Sequence, residues 1–283
     1  MKDSYKVILF YKFVDIRDPE KMVAEQKKLC NALNLKERIL IAEEGINGTL
    51  EGTTENINSY QEAVHKMDIF NDLVFKESDG DGKCFTKLSV KVRPEVVTLG
   101  VGKLNIKSDT AKEMTADELE ELYTKKEDFV VLDLRNDFEI DVGYFEKTYN
   151  PKLRNFRDLP QKIGEIEHLK DKKVIAVCTG GIRCEKATCL LKNNGFKDLY
   201  QLKDGIHTYM QKYPGKNFKG SLFVFDNRMT TPVVETGKRE IVGKCVFCNK
   251  NCEIFYTDDT KKPSKKIICC DKCAYSKSNL RKS

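Results

Sequence analysis

Cys178 stands at the end of an apolar run, Val174-Ile-Ala-Val-Cys178, and is followed by Thr179, Gly180, Gly181, Ile182 and Arg183. A run rich in Val and Ile reads as a buried strand, and the glycine pair then turns the chain into a helix-compatible stretch. That order places a thiol where a strand ends and a helix begins. Backbone N–H groups in such a turn point at an anion, and the same field favours thiolate, the nucleophilic form of cysteine. Arg183 adds a permanent cation whose fork geometry suits oxyanions. The span from Cys178 to Arg183 is shorter than in phosphatase loops of similar build, so the loop suits a sulfur-sized group and argues against a phosphatase. Cys184, next along the stretch, is a second thiol that could resolve a product on Cys178 or simply pack the helix.

A second constellation lies near the carboxyl end. Cys245-Val-Phe-Cys248 and Cys270-Asp-Lys-Cys273 are two C-x-x-C pairs with 21 residues between them. Each pair lets two thiolates reach one tetrahedral ion, and the second pair closes the site, so these four are candidate ligands of a structural zinc. Cys252 and Cys269 are alternative ligands, and a set of reduced thiols without metal is the other reading. No site for a catalytic cofactor is evident. The three histidines, His65, His168 and His207, lack the spacing of a facial-triad iron site, and no glycine-rich dinucleotide fingerprint follows a strand.

The elements that must position these residues fall into an α/β chain of three parts. Residues 1–95 alternate strand-like and helix-like stretches: strands over 6–14, 38–42, 44–50 and 85–92, helices from Asp18-Pro19 and over 54–67. Asp caps and Pro opens the first helix. This is a βαββαβ α+β module of ferredoxin or acylphosphatase type. Residues 96–111 read as a linker. Over 112–213, Thr115-Ala-Asp-Glu118 is a capping box that opens a helix. Strands follow at 129–133, 173–177 and 198–200, helical spacing at 154–169 and a last helix at 205–213. Such alternation predicts a parallel sheet covered on both faces, with reactive loops at the strand carboxyl ends where Cys178 falls. Asp133 and Arg135 end a strand at the same edge and are candidate supports of the loop. Residues 214–283 form a small basic, Cys-rich segment with one apolar strand over 218–226.

The 283 residues carry a net charge of +6, unevenly placed. From residue 214 onward there are 15 Lys and Arg against 7 Asp and Glu, whereas the rest holds 35 against 37. A basic segment beside a cysteine cluster fits a polyanionic partner, nucleic acid first. Lys91, Arg93, Arg154 and Arg157 are further candidate RNA contacts. No apolar run reaches the length of a membrane span and no secretory leader is evident, so no membrane partner is expected and the cytoplasm is the expected location. Eleven cysteines in such a chain read as thiols or metal ligands.

Taken together, these residues resemble a known family. The stretch 178–187, Cys-Thr-Gly-Gly-Ile-Arg-Cys-Glu-Lys-Ala, is similar to the active loop of the rhodanese-domain tRNA uridine hydroxylases. So are Ala42-Glu-Glu-Gly-Ile-Asn-Gly-Thr49, Leu88-Ser-Val-Lys-Val-Arg93, Leu132-Asp-Leu-Arg-Asn-Asp-Phe-Glu139, Val142-Gly-Tyr-Phe-Glu146, Tyr200-Gln-Leu-Lys203 and Leu222-Phe-Val-Phe-Asp226, and the resemblance spans residues 5 to 275. It implies a central rhodanese domain and oxygen-dependent conversion of the wobble uridine of tRNA to 5-hydroxyuridine. It also implies a persulfide-forming catalytic Cys178 with Arg183 as the loop arginine. The implied partners are a tRNA anticodon loop, molecular oxygen and an unidentified reductant. The chain departs from the family at Asp204, where a second glycine usually precedes Gly205-Ile206, and it lacks an Asn-Pro-x-Cys element between the C-x-x-C pairs. The alternative is a thiosulfate-type sulfurtransferase or persulfide carrier, which the loop residues explain directly. A non-enzymatic RNA-binding adaptor is a third reading.

Overall fold

A computed structural model describes residues 4–232, 240–262 and 264–283, and the chain divides into two compact units, 1–98 and 99–283. The first unit runs β1 (Tyr5–Phe13), α1 (Pro19–Ala32), β2 (Lys36–Ala42), β3 (Gly45–Thr53), α2 (Thr54–His65), β4 (Phe75–Gly80) and β5 (Leu88–Val92). Its sheet has the order β4-β1-β3-β2-β5, antiparallel except where β5 joins β2. Asp18 caps α1 through the Lys21 N–H, with Pro19 at the first helical position, and Thr53 caps α2 through the Asn56 N–H. Ile57, Tyr60 and Val64 recur at helical spacing, and this face of α2 is buried with Ile8, Phe10, Ile39, Ile41 and Leu50 of the sheet.

The α+β architecture is as the sequence reading has it, with one correction. The fourth strand of the βαββαβ frame is β4, not the 85–92 stretch, whose strand portion is a fifth, added at the far edge beside β2. Phe-Lys-Glu-Ser-Asp-Gly of β4 carries no apolar alternation because the strand lies at an edge and pairs only with β1. Period-two patterning therefore passes over it.

The second unit continues with α3 (Ile106–Asp109), β6 (Lys112–Met114), α4 (Ala116–Thr124), β7 (Val130–Asp133), α5 (Asp137–Ile140), β8 (Gly143–Phe145) and β9 (Thr148–Tyr149). Then come α6 (Leu159–Lys162), β10 (Lys173–Val177), α7 (Ile182–Asn193), β11 (Asp198–Leu202) and α8 (Gly205–Lys212). The capping box at Thr115 and Glu118 is formed. β6-β11-β10-β7-β9 make a wholly parallel sheet, with β10 at its centre. Val174 to Val177 are fully buried, and Ile175 and Val177 pack with α4 and α8 while α7 lies on β10 and β11. The helical spacing at 154–169 resolves into short pieces, 3-10 turns at Phe156–Asp158 and Ile163–Leu169 around α6.

Beyond α8, β12 (Phe218–Phe223) runs antiparallel between β8 and β13 (Thr230–Pro232). A small ribbon of β14 (Phe255–Asp258), β15 (Lys265–Ile268), α9 (Asp271–Tyr275) and β16 (Leu280–Lys282) ends the chain. The stretch 96–111 is fastened at both ends. In the first unit, Glu44 accepts the Val96 N–H (2.8 Å) and the Asn47 amide donates to the Val96 carbonyl (2.9 Å). In the second, the Ala111 N–H donates to Thr188 (3.0 Å) and Thr110 bonds Glu185. Among the described residues no helix is long and apolar enough to cross a membrane.

Candidate active site

The ends of three strands and the starts of three helices, α5, α7 and α8, assemble the site. β10 delivers Cys178 to the carboxyl edge of the sheet, and Gly181, at φ 101°, turns the chain into α7. The Gly181 N–H donates to the Cys178 sulfur at 3.1 Å. Burial by itself would push this thiol up. The Cys184 thiol, the Arg183 charge and the Arg183 and Cys184 backbone N–H groups overcome that and bring it from 9.0 down to about 6. The sulfur therefore sits at the positive end of a helix as a thiolate at neutral pH. Cys184, fully buried in the first turn of α7, goes the other way: burial and the neighbouring Cys178 hold it well above the ordinary range. One thiolate and one thiol result, and the thiol is the donor.

α8 holds the loop from the other side. The Ile206 N–H donates to the Cys178 carbonyl (2.9 Å) and the His207 N–H to the Thr179 carbonyl (3.0 Å). Gly205, at φ +72°, makes this approach possible, because a Cβ there would lie 2.7 Å from Cys178 O, Thr179 O and Gly181 N. Asp204 takes φ 59° and ψ 8°, the left-handed conformation that a glycine adopts without strain. The departure from the family pattern thus leaves the turn in place.

Arg183 differs from the sequence reading in its partner. Its fork is occupied by Glu139, with NH1 to Oε1 at 2.6 Å and NH2 to Oε2 at 2.9 Å, and NH2 also donates to the Thr179 hydroxyl at 3.2 Å. Arg183 acts on the loop as a buried charge beside the sulfur and as a brace, with both terminal nitrogens bonded to Glu139 and one also to Thr179. Glu139 is fully buried; burial pushes its carboxyl up, and the Arg183 charge and hydrogen bonds outweigh that and hold it down. Sequence reasoning passed over Glu139, although Asn136-x-x-Glu139 is a capping-box pattern, and the Glu139 carboxylate does accept the Asn136 N–H at 2.8 Å.

Asp133 and Arg135, both fully buried, form a second brace beneath the first. Arg135 binds the Asp133 carboxylate through Nε (2.9 Å) and NH2 (2.6 Å) and reaches the Gly143 carbonyl (2.7 Å), while the Leu134 N–H donates to the Val177 carbonyl (2.9 Å). This ties the end of β7 to the residue before Cys178. Gly180 and Ile182 complete the loop between these braces.

The other candidates lie elsewhere. Lys91 and Arg93 are exposed at the end of β5 in the first unit, and Arg154 and Arg157 are exposed before α6 in the second. In the carboxyl-terminal ribbon the ligand atoms of Cys245, Cys248, Cys270 and Cys273 all lie within 4.8 Å of one another, and the Cys248 and Cys270 sulfurs are 3.7 Å apart. A tetrahedron with bonds of about 2.3 Å has edges of about 3.8 Å, so this thiol set fits zinc. Cys252 and Cys269 stand outside it in the ribbon core, the first accepting the Ile254 N–H and the second donating to the Cys270 carbonyl.

Comparison with known proteins covers the chain in three pieces. Family models match residues 5–96 (UPF0176 acylphosphatase-like domain), 115–212 (rhodanese-like domain) and 219–281 (rhodanese C-terminal). A Bacillus cereus protein named tRNA uridine(34) hydroxylase is 40% identical over 269 residues, 94% of this chain and 84% of the relative. One of the same name from Bacillus cytotoxicus is 40% identical over 273 residues, 95% and 84%. Among solved structures, a rhodanese-like domain protein from Staphylococcus aureus is 28% identical, with 35% of this chain and 90% of the other covered at a TM-score of 0.30.

Proposed function

This chain belongs to the tRNA uridine(34) hydroxylase family, and from that membership we infer that it hydroxylates the wobble uridine of tRNA with Cys178 as the reacting sulfur. It is an oxygen-incorporating oxidoreductase that modifies tRNA. The observation that carries the role of Cys178 is its placement at the N-terminus of α7 with the Gly181 N–H on the sulfur, where the Cys184 thiol, the Arg183 charge and the loop N–H groups favour the thiolate. In the net reaction the C5–H of uracil becomes C5–OH. One atom of molecular oxygen enters the product, the other leaves as water, and a cellular reductant supplies two electrons and two protons. The thiolate, or the persulfide it forms by attacking the sulfane sulfur of a thiosulfate-type donor with sulfite leaving, is the nucleophile, and the loop N–H groups stabilise negative charge wherever it resides on the sulfur chain. Arg183, Glu139 and Thr179 hold the loop in that geometry. An anticodon loop presents unpaired bases, so the target uridine reaches the site without breaking a base pair. On this reading the protein works in the cytoplasm, where it meets its tRNA substrate.

The four clustered thiols hold, on this reading, one structural zinc. Bound there, the ion would crosslink the knuckle at 245–248 to the start of α9 and contribute folding energy to the ribbon.

Sulfane-sulfur transfer is the second reading. It is favoured by the same 3.1 Å contact, since an N–H that holds a thiolate also holds a terminal persulfide sulfur. Mass spectrometry of tRNA nucleosides separates the two. Cells lacking the protein should lose 5-hydroxyuridine-type nucleosides; wild type should restore them and Cys178→Ser should not. Unchanged nucleosides, with purified protein still forming a Cys178 persulfide from thiosulfate, would sink the hydroxylase reading in favour of sulfur transfer.

A further inference from the structure

Among the described residues, five large apolar side chains are well exposed, and three of them belong to the cysteine ribbon: Val246 (58%), Phe247 (48%) and Tyr275 (97%). Val246 and Phe247 form the tip of the first C-x-x-C knuckle, and Tyr275 ends α9, which carries Cys273 of the second pair. The clustering of the four thiols brings these tips to one end of the ribbon. Lys277 links them: its ammonium lies 5.1 Å from the Phe247 ring centroid, and its N–H donates to the Ala274 carbonyl beside Tyr275. Nothing in the ribbon's folding requires these rings outside, because its core is filled by Phe255, Tyr256, Ile268 and Cys269.

The surroundings are basic. Residues 240–283 hold ten Lys and Arg against five Asp and Glu, and Lys244, Lys250, Lys272 and Lys277 are exposed on or beside the knuckle segments. The ribbon also packs against α5. Its core includes Val142 and Phe223 and packs against Phe138, the neighbour of Glu139 on α5, the helix that braces Arg183.

We propose that Val246, Phe247 and Tyr275, with Lys277 beside them, form a stacking platform that binds unpaired bases of the RNA substrate. The inference rests on the tRNA reading and deepens it by assigning a surface to the substrate. Aromatic faces accept any base, and exposed lysines meet the adjoining phosphates, the combination used for single-stranded nucleic acid. A paired stem offers no free base faces, so the platform is selective for the loop. A zinc held by the four thiols would have a second consequence, since it would join the knuckle that carries Phe247 to the helix that carries Tyr275.

The test measures binding of the Cys178→Ser protein, which cannot turn over, to an anticodon stem-loop with a wobble uridine, across a salt series. Phe247→Ala and Tyr275→Ala should each raise Kd about tenfold, and the pair about a hundredfold, with an unchanged salt slope. Phe247→Trp should bind as the parent does. Lys277→Ala should weaken binding and lower the salt slope by about 0.7. A fully paired stem should bind parent and ring variants alike. Both rings are exposed, so zinc content and thermal unfolding should not change and serve as folding controls. A double variant that folds and binds the stem-loop as tightly as the parent overturns the proposal. So does light scattering in which the parent self-associates and the double variant does not while RNA affinity stays the same, which would assign the patch to a second copy. Ring-dependent binding by a protein whose wild type forms no 5-hydroxyuridine would sustain the platform and reject the hydroxylase reading.

Discussion

Removing both charges of the Arg183–Glu139 pair should raise the point at which Cys178 loses its proton. The fall from 9.0 to about 6 is a thousandfold change in acidity, or about 4 kcal/mol in favour of the thiolate. At pH 7 about nine in ten Cys178 side chains are then thiolate, against about one in a hundred for an ordinary thiol. Arg183 is one of the groups that produce this, and both of its terminal nitrogens bond Glu139. Arg183→Gln alone would strand the buried Glu139 carboxylate and cost about 3–5 kcal/mol of stability, confounding any titration. Arg183→Gln with Glu139→Gln removes both charges and leaves two amides to hydrogen-bond. The assay is thiolate ultraviolet absorbance against pH, taken as the difference between each protein and its Cys178→Ser counterpart so that the ribbon thiols cancel. The wild type should titrate near 6 and the double variant about 1 pH unit higher. The same shift has a stability signature. A group whose folded value lies below its unfolded one adds stability that is complete above the unfolded value and lost as pH falls through the folded value. Wild type should therefore gain stability over Cys178→Ser as pH rises from about 6 toward 9, by up to about 4 kcal/mol. A wild-type inflection near 9 would refute the electrostatic account of the loop, and one that the double variant leaves in place would refute the part assigned to the Arg183 charge.

Other substitutions probe the positioning elements. Gly205→Ala should cost about 2 kcal/mol or more in thermal or urea unfolding and nearly abolish hydroxylation, because a left-handed backbone and three contacts at 2.7 Å oppose the added methyl. Asp204→Gly should keep activity and raise stability by up to about 1 kcal/mol, since the residue already sits at φ 59°; a loss of activity would show that the Asp204 side chain acts at the site. Metal analysis should find one zinc per chain, lost in Cys248→Ser and retained in Cys269→Ser. Chelation should unfold the ribbon, read by limited proteolysis after residue 240, and leave the parallel sheet intact.

What the sequence made legible follows from how local each signal is. The strand–turn–helix around Cys178 is visible because an apolar run, two glycines and a helix start are adjacent in the chain. The C-x-x-C pairs are visible for the same reason. β4 stayed hidden because Phe75 is its one apolar residue and the position beside it that is buried holds Lys76, so Phe-Lys-Glu-Ser-Asp-Gly shows no alternation. Glu139 stayed hidden for a different reason. Forty-four residues separate it from Arg183, and only the parallel pairing of β7 with β10 brings the two together. The capping pattern at Asn136 could have marked Glu139 as ordered, but not as the partner of the loop arginine.

That pairing changes what the loop can bind. An arginine in a cysteine loop suggests a ligand oxyanion, yet each terminal nitrogen of Arg183 already serves a carboxylate oxygen, and one also serves Thr179. Recruiting the fork to a substrate phosphate or sulfonate would leave Glu139 charged and fully buried without its partner, which costs several kcal/mol. The charge that the loop stabilises is therefore on the sulfur, where Gly181, Arg183 and Cys184 present N–H groups and Cys184 presents a thiol. Specificity for the RNA then has to come from surfaces outside the loop. The basic ribbon, packed against the helix that supplies Glu139 and with its exposed rings turned to solvent, is such a surface.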